Sequence, residues 1–311
     1  CSGGADGPVC LVEITGELQV SLEEETLLDM HSVLNICNVL MLELAMIADQ
    51  TDNPERVRAL EHRVVSMAEA LRDPDEAYRQ VEQIDAFIAE IEASVAELTP
   101  HPAYAADHAM SLANMRSVFA VLRVRAVEIS ARHSSTDAWV VHDIIRRREN
   151  FATVFQAIEQ NSRGGYRVVS NLAAHEDGDY LLNFEISSSE GSSIRMPAVF
   201  QDVMRDLLAN ARKYTPPGGT ISAGLYEDGA ELRWVVSDTG VGIPPEEITD
   251  IVHFGRRGSN VRNRPTRGGG FGLTKAYYVA RRFGGRMWIA SAVHDGRGTR
   301  VEIRLPLPAG N

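Results

Sequence analysis

The chain has 311 residues, 44% of them hydrophobic and 24% charged, with a formal net charge of −12. That length is enough for two domains with separate cores, and the acidic balance excludes general nucleic-acid binding, which needs a basic footprint against phosphates. Cys1, Cys10 and Cys37 have neither Cys-x-x-Cys nor zinc-ligand spacing, so a reducing, cytoplasmic setting is expected.

From the N-terminus, no basic, apolar leader is present, so no signal peptide is expected. A start at Cys1 fits a lipid-modified N-terminal cysteine or, as is expected here, a trimmed chain with room for an upstream domain. Residues 1–9 are glycine-rich and expected to lack order, and Val9 to Gln19 reads as a short strand. Ser21 and Glu24 form a capping box, with Glu23 to Glu25 suited to a first helical turn. The helix they open runs to about Asp49. Leu27, Met30, Leu34, Cys37, Met41 and Leu44 make a bundle-type seam, which Leu28, Val33, Ile36, Leu40 and Ile47 widen to more than one side. His31, Asn35 and Asn38 fall on a different stripe, expected to face water or a partner. Asn35, Asn38 and Glu43 interrupt the most apolar part of this helix, so no membrane span is expected.

Further helices are expected over 54–71, 75–98, 102–132 and 137–161. The third repeats the seam with Leu112, Met115, Phe119, Leu122, Ala126 and Ile129, and the last would bury Val141, Ile144, Ile145, Phe151, Val154, Phe155 and Ile158. Residues 1–20 are thus an N-terminal segment and 21–162 a helical bundle able to dimerise. Near residue 163 the texture changes. Strands are expected at Tyr166–Ser170, Tyr180–Ile186, 219–226, 230–237, Arg286–Ser291 and Thr299–Leu305, with helices at 197–214 and 270–283. This mixture predicts an α/β sandwich over residues 163–311, with helices on one face of a sheet.

Three stretches of that second half carry chemistry. Trp234–Val236 ends a buried strand that delivers Asp238 to a turn containing Gly240 and Gly242; a carboxylate there can accept a hydrogen bond from an exocyclic amine such as that of adenine. On helix 197–214, Asp206, Asn210 and Lys213 share a face, with Leu207 and Leu208 turned to the core. An amide oxygen is a suitable hard ligand for Mg²⁺ and a lysine one turn on suits phosphate. The loop 244–270 holds Arg256, Arg257, Arg262, Arg264 and Arg267 and ends in Gly268, Gly270 and Gly272 ahead of a helix, which is the composition of an anion-binding lid. Only two of the 31 basic residues are lysines, Lys213 and Lys275, and both lie in this half.

These residues, in this order, resemble the ATP-binding catalytic domain of sensor histidine kinases, part of the ATPase superfamily that also includes gyrase and the mismatch-repair proteins. Asp206–Thr215 resembles the N box, Asp238–Ile243 the first glycine box and Gly268–Leu273 the second, with Gly296 to Thr299 and Leu305-Pro306 as the closing segment. The resemblance covers roughly residues 166–308. It implies ATP and Mg²⁺ as cofactors, with Asn210 on Mg²⁺, Lys213 on the phosphates, Tyr214 stacked on the base and Asp238 on the adenine amine. Gly240, Gly242, Ile243, Gly268, Gly270, Gly272, Leu273 and Thr299 would line the nucleotide, and Arg256 or Arg257 would reach the phosphate tail. Two departures stand out. Asp206 occupies a position where the family has asparagine and the related ATPases have a water-activating acid, which implies a substitute Mg²⁺ contact or a hydrolytic base there, and the family's paired phenylalanines are reduced to Phe254.

The resemblance also implies a phosphoacceptor histidine on the bundle. His31-Ser-Val-Leu-Asn35 is similar to the family's His-x-x-x-Asn/Thr pattern, with His31 as acceptor and Asn35 positioning water for dephosphorylation. Ser32 stands where the family has an acidic base. His142, followed by Asp143, is the rival. The expected function is an ATP-dependent histidine kinase acting as a homodimer and relaying phosphate to the receiver domain of a response regulator. A nucleotide-binding pseudokinase scaffold and a non-kinase ATPase of the superfamily are the alternatives.

Overall fold

A computed structural model of the protein describes residues 11–133, 137–146, 148, 159, 167–171, 174–262, 270–293 and 298–308. It forms two compact units. One is Gln19–Thr136; the other joins the residues up to Leu18 to those from Asp137 onward.

The first unit is helical: α1 (Leu22–Gln50), α2 (Pro54–Ala70), α3 (Ala77–Glu82), α4 (Ile84–Ala96) and α5 (Ala105–His133). The Ser21 N–H donates to the Glu24 carboxylate at 2.9 Å and the Glu24 N–H to Ser21 Oγ at 3.2 Å, closing the expected box, a device worth about 1 kcal/mol. The buried seam of α1 is Met30, Val33, Cys37, Leu40, Leu44 and Ile47, packed with Val57, Val64 and Met67 of α2 and with Met115, Phe119, Leu122 and Ile129 of α5. Leu27, Leu34 and Met41 flank that seam at intermediate exposure. The helix expected over 75–98 is broken at Gln83 into α3 and α4. By length and composition α1 is apolar enough to cross a membrane, a property the expectation of no span overlooked. Here its apolar residues supply the core of a helical unit.

The second unit is built on a seven-stranded sheet of order β1-β8-β9-β7-β6-β4-β3. Its strands are β1 (Val12–Glu13), β3 (Val168–Val169), β4 (Tyr180–Ser188), β6 (Thr220–Glu227), β7 (Glu231–Asp238), β8 (Arg286–Ser291) and β9 (Thr299–Pro306). The β3–β4 and β4–β6 pairs are parallel and the others antiparallel. Strand alternation puts Ile221, Leu225, Leu232, Trp234, Val236, Val301, Ile303 and Leu305 on one face. Two helices cover that face: α6 (Phe200–Tyr214) against β6 and β7, and α7 (Gly272–Arg282) against β8 and β9. A cavity of about 530 Å³ is bordered by Arg148, Asn183, Tyr226, Ser237 and Arg300.

Two findings correct the expected division at residue 163. The N-terminal segment belongs to the sheet: β1 pairs with β8, Ile14 is buried, its N–H donates to the Met287 carbonyl at 2.9 Å, and the Tyr277 hydroxyl donates to the Gly16 carbonyl at 2.6 Å. After the helical unit, Trp139–Asp143 is a strand (β2) paired with β5 (Ser193–Pro197), where a helix was expected. The Trp-Val-Val run favours a pleated surface over a helix, and the Trp139 ring meets Phe283 edge-on at 6.1 Å. Ile144 is buried beyond it. Phe151, Val154, Phe155 and Ile158 of the expected helix, and Tyr166, lie outside the described residues.

Candidate functional site

The strand β7 carries Asp238 to the edge of the helix-covered face. The Asp238 Oδ1 accepts hydrogen bonds from the backbone N–H groups of Gly240 (2.8 Å) and Thr299 (3.2 Å). Burial pushes its pKa up to about 6 against the opposing pull of those two donors. The turn that follows is tightly fixed. Gly242 adopts φ +70°, and a Cβ there would overlap the Ala292 carbonyl; one on Gly298, at φ +56°, would overlap the Asp238 carbonyl. Only glycine fits either place. The Val241 N–H donates to the Tyr214 carbonyl at 3.2 Å, which ties the turn to the end of α6.

Two residues that no motif points to, Ser291 at the end of β8 and Asn260, complete the turn. Ser291 Oγ accepts from the Ile243 N–H at 2.7 Å, donates to the Gly298 carbonyl at 3.0 Å and lies 3.0 Å from Thr299 Oγ1. The Asn260 side-chain amide donates to the Gly242 carbonyl at 3.0 Å and to that of Val241 at 3.3 Å. Neither belongs to a recognisable motif; their distance along the chain from Asp238 hides them.

On α6, Leu207 and Leu208 are buried in the core and Asp206, Asn210 and Lys213 lie on the half-buried side. Gly272 begins α7 directly against this face. A Cβ at Gly272 would stand 2.7 Å from Asn210 Nδ2 and 3.6 Å from Asp206 Cβ. Asp206 Oδ2 is buried without a hydrogen-bond partner, an arrangement that leaves an acceptor oxygen unsatisfied. A carboxylate and a primary amide side by side at a helix N-terminus form a hard-oxygen donor set, which fits Mg²⁺.

One turn on, the Lys213 ammonium lies 5.2 Å from the centre of the Tyr214 ring. Its pKa is lowered to about 8 by burial and then by the Arg257 and Arg212 charges. A half-buried lysine crowded by two guanidinium groups is a site that an anion relieves. Gly270 lies against the Arg256 backbone and the Arg257 stem. Phe254 packs on Phe271 with ring centres 4.5 Å apart, so a second phenylalanine stands beside Phe254 from the far side of the loop. Leu273 packs on the core. Gly268, Arg264 and Arg267 lie outside the described residues.

The structure thus brings Asp206, Asn210 and Gly272 together, joins Asp238, Gly240, Ile243 and Thr299 through Ser291, and sets Lys213 beside Tyr214 and Arg257.

The two histidines fare differently. His31 was expected on an exposed stripe; it is buried, with 6% of its surface exposed, and the Asn35 amide nitrogen lies 3.2 Å from both ring nitrogens. It follows Leu28, itself 1% exposed, by three residues, so the two share a side of α1. The helix is apolar on more than its seam, and that second buried side takes in the histidine. Asn38, on the same expected stripe, is exposed. The rival His142 is on β2, in the sheet-containing unit, paired in register with Ile194. It is not on a bundle helix.

Residues 195–309 match the family of histidine kinase-, DNA gyrase B- and HSP90-like ATPases. Over 112 residues the chain is 36% identical to the adaptive-response sensory kinase SasA of Synechococcus elongatus, covering 36% of this chain and 28% of that one. It is 38% identical over 112 residues to the signal transduction histidine-protein kinase/phosphatase MprB of Mycolicibacterium vanbaalenii, covering 34% of this chain and 23% of that one. Against histidine protein kinase DivJ of Caulobacter vibrioides it is 36% identical over 107 residues, 34% of this chain and 17% of that one. The chain therefore spans less than a third of the length of these curated relatives. Among solved structures, a mycobacterial sensor histidine kinase MprB aligns with a TM-score of 0.40 and 22% identity over 54% of this chain and 97% of that one. Over residues 195–309 the chain is thus similar to histidine kinase-, DNA gyrase B- and HSP90-like ATPases, and the curated proteins it resembles there are named as histidine kinases.

Proposed function

We propose that this chain is the phosphotransfer and catalytic part of an ATP-dependent protein histidine kinase, working as a homodimer in the cytoplasm and passing phosphate to a response-regulator aspartate. The observation that carries the reading is the Asp238 carboxylate: half-buried, fixed through one oxygen by two backbone donors, and bordered by a turn that only glycine can form. Its other oxygen is the acceptor for the adenine amine. Gly240, Gly242, Ile243 and Thr299 shape the base slot and Tyr214 stacks on the ring. Lys213 and Arg257, with Arg256 behind Gly270, receive the phosphates, and the N-terminus of α7 at Gly272 adds backbone donors.

Asn210 and Asp206 would hold Mg²⁺, the buried, unpartnered Asp206 oxygen being the feature that favours a cation there. Bound, that ion would offset charge on the phosphate oxygens. The protein's own contribution is position and fixed positive charge. In the transfer, a ring nitrogen of His31 forms a bond to the γ-phosphorus as the bond from phosphorus to the bridging β-oxygen breaks; ADP leaves and the ring proton passes to solvent or a base. Asn35, already against the ring, would position the water that dephosphorylates the partner regulator's aspartate, a hydrolysis that releases inorganic phosphate. His31 must turn outward before it can react.

That burial, with Ser32 in place of an acidic neighbour, favours one second reading, a nucleotide-binding scaffold that does not phosphorylate itself. Incubation with γ-labelled ATP and Mg²⁺ separates the two. The kinase reading expects acid-labile, base-stable label on the wild type and none on His31→Gln or Asn210→Ala. Bound ATP with no label on the wild type would replace it by the scaffold. Label surviving in His31→Gln would remove His31 as the acceptor.

A further inference from the structure

Lys275, the second of the chain's two lysines, is in the first half of α7 and is 1% exposed. Its ammonium donates to Asp202 Oδ2 at 3.0 Å, and Asp202, on the first turn of α6, is 2% exposed. Arg205 closes on the other oxygen of the same carboxylate. This is a buried ion pair with a second cation, joining α6 and α7, the two helices packed on the face that carries Leu225, Trp234 and Ile303.

Stability does not explain it. Removing two charges from water costs several kcal/mol each, and an apolar pair of similar volume in such a place is commonly neutral or stabilising. A buried pair instead favours one register over its neighbours, since a slide of one residue along a helix, about 1.5 Å, breaks it. The register it selects is the one the nucleotide site needs. Asp202 precedes Asp206 by one turn on α6, and Lys275 follows Gly272 by one turn on α7. At Gly272 the two helices approach so closely that a single added carbon would stand 2.7 Å from the Asn210 amide. A shift of α7 toward α6 collides there, and a shift away opens the gap between the Gly270–Gly272 turn and the Asp206–Asn210 pair.

We infer that Asp202 and Lys275, with Arg205, are positioning residues that lock α7 against α6 and so set the spacing between the phosphate-binding turn and the metal-binding pair. The inference rests on the nucleotide reading above. None of the three is assigned a contact with nucleotide.

The test uses the whole chain and a fluorescent ATP analogue, titrated with and without Mg²⁺, alongside thermal unfolding of the unliganded protein. The decisive variant is Asp202→Leu/Lys275→Met, which replaces the pair by packed apolar groups. It is expected to unfold at a temperature equal to or above that of the wild type, yet to bind the Mg²⁺ complex about tenfold or more weakly, in the range that misplaced supporting groups cost a metal site. A merely structural role would move both measurements together. Should that variant not fold, Asp202→Asn/Lys275→Met, which removes both buried charges and keeps a polar group beside Arg205, decides by the same criterion. A folded variant that binds within about twofold of wild type, inside the scatter of independent sites, overturns the inference and leaves the nucleotide reading intact. A wild type that does not bind the analogue removes that reading, and the inference with it.

Discussion

At the scale of single residues, Asp238 carries a charge that the fold makes costly. Its pKa stands near 6 because burial outweighs the donors at Gly240 and Thr299. The sign follows from linkage: between the ordinary carboxylate range and about 6 the folded state holds a proton the unfolded state has lost, so this group's contribution to stability falls as pH rises through that window. Nucleotide acts in the opposite sense. An amine donor favours the ionised form, so affinity is expected to fall as pH drops through about 6. Comparing Asp238→Asn with wild type across that range checks this, because titration of the phosphates is common to both. The variant is expected to bind more weakly at pH 8, by about tenfold or more for a lost charge-assisted bond, with the difference shrinking toward pH 5. A constant ratio would remove the carboxylate from base recognition. Lys213 shows the complementary strain: a polyphosphate is expected to raise its lowered pKa, which makes Lys213→Ala weaken ATP more than adenosine.

At the scale of elements, the most surprising placement is β1. Only two residues pair, yet Ile14 behind them is buried against the sheet and Gly16 is held by the Tyr277 hydroxyl. Ile14→Ala is expected to destabilise the sheet-containing unit by roughly 2–5 kcal/mol, as for other buried isoleucines, and denaturant unfolding followed by tryptophan fluorescence, to which Trp139, Trp234 and Trp288 of that unit contribute, would measure it. An effect below about 0.5 kcal/mol, ordinary for surface sites, would mean that the segment is only draped on the edge. The strands and helices around the motifs were legible because each has a strong local period and a glycine or proline stop: β8 begins at Arg286 and β6 and β7 within one residue of the expected positions. The long-range choices were not. Whether Val12–Glu13 joins a sheet depends on an edge offered by residues nearly three hundred positions away, and Trp139–Asp143 is a strand because β5 is there to pair with it. Both lie outside what a local pattern can report. The site divided in the same way. Asp206, Asn210, Asp238 and the glycines stand in recognisable order, whereas Ser291, Asn260 and the Asp202–Lys275 pair are ordinary polar residues until the fold brings them together.

At the scale of the whole molecule, the chain leaves the sheet-containing unit after Leu18 and returns to it at Asp137, so the helical unit is held at both ends by one and the same partner domain. Both connectors reach the same helix: Gly16 accepts from Tyr277 on α7, and Asp137 pairs with Arg282 at its far end at 2.9 Å. Association of two copies through the helical unit would use the exposed surface of its helices. That surface has an apolar stripe. On α5, Val121, Val124 and Val127 are 42%, 55% and 69% exposed, on the side away from the seam of Met115, Phe119, Leu122 and Ile129. Three adjacent exposed valines on one helical face are the kind of patch that a partner covers, and a second copy of the chain is the partner the kinase reading requires. Val124→Glu/Val127→Glu is therefore expected to shift the protein from dimer to monomer in sedimentation, with little change in unfolding temperature at high dilution, since neither side chain is in the core. A dimer that survives both charges would move the interface off α5, and a chain that is monomeric before substitution would confine phosphotransfer to the domains of a single molecule.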